Sequence, residues 1–268
     1  MTEDNEEWPR RRCLLKAAEI FDDVCVRSVG QYVGSGREID QREMILLASL
    51  LRARRMLLAI ACLSHDGFVE EMWCIMRSLS ELTIDACYLS ICSDEEVEKF
   101  SQYTHIAHAR FLEVFERDMD TKDASISDET RQFMSKIVQS VTDATGLRSN
   151  AISWTSVSVI DRAKAIDKVV RLDPSLSGGA SKPFVSFARG VFASGHLYAH
   201  SSFEALWPYS KMIKDGMPLQ NLDREERVDH VLSGANHCIF VLTTFANHHL
   251  TLGLDAFLTV ANSLNVRN

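Results

Sequence analysis

The chain has 268 residues, 46% of them hydrophobic and 25% charged, with only 12 glycines and 5 prolines; it can bury a core without disulfides or metals and is too apolar for intrinsic disorder. A formal net charge of −8 excludes a broad basic surface for nonspecific binding to nucleic acid or membrane and leaves only local patches, Arg10 to Arg12 and Arg52, Arg54 and Arg55. The seven cysteines form no C-x-x-C pair and fall mostly in apolar helical patterns, which points to free thiols in a reducing cytoplasm.

Taken in order, the chain reads as all-α, a single-domain bundle of about eight helices with a long C-terminal helix and no strand. Residues 1–268 are one helical domain, with 1–9 as a leader that lacks the apolar core of a signal peptide. Leu14, Leu15, Ala18, Phe21, Val24 and Cys25 recur at helical spacing and place the first helix from about Arg10 to Val29. The second runs from about Glu38 to Leu63. The turn "SHDG" leads into a third, about Phe68 to Ile91, packed antiparallel to it. Ser93 caps a fourth helix, whose acidic first turn suits the helix dipole, and Ser127 caps a fifth.

A sixth helix spans about Val159 to Leu172 and stops before Pro174. Pro183 opens the seventh and Pro208 closes it. After an irregular stretch from Trp207 to Leu222, Asp223 and Glu226 approximate a capping box for the last helix, which runs to about Leu264 with Gly234 and Gly253 as places to bend or split. The longest apolar run, "CIFVLTTFANHHLTL", meets polar residues before it can cross a bilayer.

Two helices carry polar residues on otherwise apolar faces. On the third, Arg77, Glu81, Asp85 and Tyr88 line up on one side. Arg77 and Glu81 as a mutually satisfied ion pair is one reading, since a buried charge without a partner is costly. The other is a polar pocket in which Arg77 binds an anion, with Glu81 and Asp85 beside it. On the seventh, taking Arg189 as the origin at about 100° per residue, His196, His200 and Glu204 fall within about 60° of it, beside Phe192 and Phe203.

The segments "RARRMLLAIACLSHDGFVEEMWCIMRSLSELTIDACYL", "ISWTSVSVIDRAKAID" and "YAHSSFEAL" resemble a family of uncharacterised bacterial helical proteins with an R-x-L-x-E core motif, a tryptophan segment and a late His-Ser motif. Arg77, Leu79, Glu81, Trp154, His200 and Ser201 carry that resemblance, which brings no activity with it. Arg189 and His196, with six residues between, also resemble the R-x4-6-H signature of HEPN-type helical domains, many of them metal-independent ribonucleases of toxin–antitoxin and phage-defence systems. Gly190 departs from the polar residue usual there.

That second resemblance implies Arg189, His196 and His200 as catalytic groups. An imidazole moves the proton of a ribose 2′-hydroxyl or of the leaving oxygen while a guanidinium steadies the phosphorane, with no cofactor. It also implies a homodimer, with RNA as substrate and an antitoxin or other protein as partner. Two further readings stand beside it. One is a non-catalytic module that binds a polar ligand or a partner through Arg77, Glu81, Asp85, Ser201 and Glu204. The other is a metal held on one helix by His196, His200 and Glu204, at i, i+4 and i+8. Nucleophile-elbow, phosphate-loop and dinucleotide-binding motifs are all absent.

Overall fold

The computed structural model describes residues 9–118, 127–177, 184–199, 214, 225–255 and 257–258. These form eight α-helices and no strand among the described residues. They are α1 Pro9–Gly34, α2 Gln41–Asp66, α3 Val69–Ile91, α4 Asp94–Asp118, α5 Asp128–Thr145, α6 Val159–Leu172, α7 Phe184–Ala199 and α8 Glu225–Leu250, with a 3-10 turn at Pro174–Ser177. They cluster into two compact units, residues 1–90 with 159–268, and residues 91–158.

In the larger unit α8 packs against α1 and α2, and α6 against α7. The sequence points to α3 as the central helix, and α3 is heavily buried, but the most enclosed stretch is in α8. There nine consecutive residues, Cys238 to Ala246, are buried, a pattern only a helix covered on all sides can carry. Burial holds the Cys238 thiol protonated, its pKa pushed up to about 12, and raises Cys87 well above the ordinary thiol value. None of the seven cysteines forms a disulfide, and these two fill the core as small hydrophobes.

Local signals set most boundaries, and tertiary contacts set the rest. Helix α2 begins at a reciprocal capping box in which Asp40 and Glu43 each accept the other's backbone N–H, and ends on Gly67 at φ 70°, an αL conformation that suits glycine. Helix α1 starts at Pro9 and continues past Val29 to Gly34. Its last turn is anchored by Tyr32, which is buried and donates to Glu43 at 2.8 Å. The final helix stops at Leu250 rather than near Leu264. Thr251 and Gly253 take positive φ, and Asn247 braces the reversal by accepting from the Leu254 N–H and donating to Asp255, each at 3.0 Å.

In the smaller unit α4 packs against α5. Ser127 caps α5 by accepting from the Thr130 N–H, and the weaker cap at Ser93 accepts from the Glu96 N–H at 3.4 Å. Trp154 has a packing role here: it is buried, with its indole edge-on to Phe100 at 5.2 Å.

Among the described residues, no helix is long and apolar enough to cross a membrane.

Candidate functional site

The position of α7 is set from α6. The Asp167 carboxylate is buried and accepts the backbone N–H groups of Phe184 at 2.7 Å and Val185 at 3.0 Å. A carboxylate on these orphan donors satisfies them and complements the positive end of the helix dipole. One and a half turns earlier on α6, the Arg162 guanidinium reaches Asp85 of α3 at 2.8 Å, with side-chain exposures of only 4% and 17%. Helix α6 thus holds α3 with one residue and α7 with another.

Where α3 crosses α7, the contact is tight. A Cβ built on Gly195 would lie 2.6 Å from the Arg77 Cβ, so only glycine admits this approach. Beyond that crossing the Arg77 guanidinium lies over the Phe192 ring, 5.8 Å from its centroid, a cation–π arrangement. The Arg77–Glu81 ion pair is not formed: Glu81 is exposed, and neither residue has an ion pair among the described residues. Asp85, grouped with Arg77 in the sequence, pairs with Arg162 instead.

The polar faces of α3 and α7 therefore adjoin at Arg77 and Gly195. Arg189 is exposed, and the helical step puts position 196 about 20° from it on the same side of α7. The side chain of His196 is outside what the structure describes, as are residues His200, Ser201 and Glu204 altogether. The proposed three-ligand metal set falls on these positions; among the described residues no cluster of three metal-ligating side chains occurs.

Along the adjacent row of α7 lies a cavity of about 390 Å³ that no sequence motif announces. Helix α3 contributes Trp73 and Met76, α7 contributes Ser186, Phe187, Gly190 and Ser194, and α8 contributes His230 and Gly234. The Trp73 indole is buried and meets the exposed His230 imidazole at 5.8 Å, tilted by 40°. Ser186, Gly190 and Ser194 follow one another at steps of four, so one row of small residues runs along this wall for about 12 Å. Nothing lies within 4 Å of a Cβ built on Gly190. The cavity opens to solvent there, beside exposed Ser186 and His230.

Behind this wall His237 packs edge-on to Phe187 at 4.7 Å and against Phe184 at 5.9 Å. Burial lowers its pKa below the ordinary 6.5. Protonation is thus resisted in the fold and free in the unfolded chain, so this part of the stability is present above pH 6.5 and lost as pH falls below it. His249 adds the same sign, lowered chiefly by burial. Urea midpoints at pH 7.5 and 5.5 should show this loss, and His237→Phe should reduce it; an unchanged difference would place the pH dependence elsewhere.

The basic cluster of α2 divides in two. Arg54 forms an ion pair with Asp22 of α1, while Arg52 and Arg55 stay exposed at a groove of about 430 Å³ between α2 and α3.

Compared with known families, residues 43–217, more than half of the chain, match a family model described as "Family of unknown function (DUF5677)". No curated protein matches the chain, and no solved structure does.

Proposed function

The chain belongs to the DUF5677 family, whose function is unknown, and from that premise we propose that it is a non-catalytic helical module that binds a small molecule between α3, α7 and α8. One observation carries this reading: the cavity of about 390 Å³ with buried Trp73 and exposed His230 in its walls. Binding sites are concave, mostly apolar and marked by a few convergent polar groups, at volumes of about 300–1,000 Å³. The helices that form its walls are held by structural contacts: Asp167 fixes the start of α7, and Arg162 engages Asp85 of α3. Cysteines that form no disulfide and a chain without a described membrane-spanning helix support a cytoplasmic setting for such a module.

Gly190→Leu supplies the test, because it fills the mouth of the cavity from a position with open space around it. Native mass spectra of the full chain, incubated with the small-molecule fraction of a bacterial extract, should show an adduct on the wild type and none on the variant. No adduct, or one that Gly190→Leu leaves intact, would overturn the reading.

A second reading is favoured by the exposure of Arg189 and by its register with position 196 on one continuous helix. It is a HEPN-like, metal-independent ribonuclease of a toxin–antitoxin or phage-defence system. The outward face of α7 would then meet a second copy, and Arg189, His196 and His200 would act on RNA. Arg189→Ala and His196→Ala, assayed beside the wild type with RNA in EDTA, should abolish cleavage; equal cleavage by all three proteins would remove it.

A further inference from the structure

We propose that the cavity between α3, α7 and α8 takes a neutral, planar heteroaromatic ring of nucleobase type. This rests on the binding reading above and names the chemistry of its occupant.

Among the described residues, no lysine, arginine, aspartate or glutamate lines the cavity. A phosphate or carboxylate would lose its hydration there without a countercharge, which is costly. What the walls offer instead are aromatic side chains, Trp73, His230 and Phe187, and backbone left bare at Gly190. Flat ligands exploit both, since a ring stacks on a ring and lies close against a helix that has no Cβ in the way. A Cβ on Gly234 would come within 2.9 Å of the Met76 methyl and 3.5 Å of the Phe187 ring, so this glycine lets those two side chains close in over α8 at the cavity wall.

The polar groups fit the same occupant. Ser186 and Ser194 set two hydroxyls about 12 Å apart along α7, and His230 lines the same cavity from α8. A hydroxyl donates or accepts, and a neutral imidazole does one with each nitrogen. A saturated ring or an alkyl chain offers these three groups no hydrogen-bond partner, whereas a nucleobase carries donors and acceptors around its edge. Because these groups adapt in direction, they should discriminate little between purine and pyrimidine.

Isothermal titration of the full chain with adenosine, uridine, AMP and cyclohexanol tests the assignment. Adenosine and uridine should bind at one equivalent and within tenfold of each other, AMP no tighter than adenosine, and cyclohexanol without a measurable isotherm. Trp73→Leu should weaken adenosine tenfold or more. Since that variant also alters the core, Gly190→Leu is the second arm, and it should abolish binding with no fall in melting temperature. AMP binding tenfold tighter than adenosine would overturn the neutral class, and cyclohexanol binding as well as adenosine would overturn the planar one. If no nucleoside binds while the native spectrum still shows an adduct sensitive to Gly190→Leu, this inference falls and the module reading stands. If both experiments fail, both fall.

Discussion

Arg162→Ala should cost the protein about 3–5 kcal/mol, because it removes the guanidinium that faces Asp85 in a site where both partners are largely dehydrated. Asp85→Ala should cost a similar amount for the converse reason. Replacing both together, as Asp85→Leu with Arg162→Met, should recover most of the loss, since a buried ion pair gains little over well-packed apolar residues of its own size. Urea unfolding of these proteins, with the single variants Asp85→Leu and Arg162→Met added, closes the cycle and isolates the coupling between the two side chains. A loss below about 1 kcal/mol for Arg162→Ala, the range of exposed pairs, would mean that the pair is effectively solvated and does not hold α3 to α6.

The consequence for function runs through α6. Arg162 and Asp167 lie on one helix of 14 residues, the first holding α3 and the second capping α7. Loosening α3 from α6 should therefore disturb the α3–α7 wall of the cavity even though neither Arg162 nor Asp85 lines it. In the double replacement, stability and adenosine binding should return together. Asp85, which the sequence groups with Arg77 and Glu81 as a ligand contact, acts here as a structural partner of α6.

How far this was legible from the sequence depended on the range of the interaction. Ser127 and Pro174 act within a turn of themselves, so the start of α5 and the end of α6 follow from local chemistry. The ends of α1 and α8 do not, because Tyr32 reaches across to Glu43, and Asn247 braces a chain reversal that begins at Thr251. A periodic pattern says which face of a helix is polar but not what that face meets. The step of four from Arg77 to Glu81 invites an ion pair, yet the Phe192 ring on another helix holds the guanidinium.

The cavity lay further still from view. Trp73, Phe187 and His230 are each separated by dozens of residues, and in its own segment each is one more aromatic or imidazole on a helix. The only local trace is the row Ser186, Gly190, Ser194, small residues at steps of four that any close helix crossing would also use. On α7 the sequence drew attention to the face of Arg189 and His196, whereas the cavity opens along the adjacent row.

Two glycines on α7 should respond to the same substitution with opposite signs. Gly190→Ala should stabilise the protein by about 0.5–1 kcal/mol, because alanine lowers the entropy of the unfolded chain and suits a helix interior, and nothing lies within 4 Å of the new methyl. Gly195→Ala gains the same intrinsic preference but places its methyl 2.6 Å from the Arg77 Cβ. Overpacking of this kind costs about 1–3 kcal/mol, and here it meets the root of a side chain on a packed helix, which no rotamer change relieves. The clash should win, with the melting temperature below the wild type for Gly195→Ala and above it for Gly190→Ala. Shortening Arg77 then separates causes: Arg77→Ala removes the atoms at 3.1 Å but keeps the Cβ at 2.6 Å, so it should not rescue Gly195→Ala, whereas Arg77→Gly should relieve the clash. If Gly195→Ala stabilises as Gly190→Ala does, α3 and α7 do not cross at this point, and the wall of the cavity that depends on their crossing is misplaced with them.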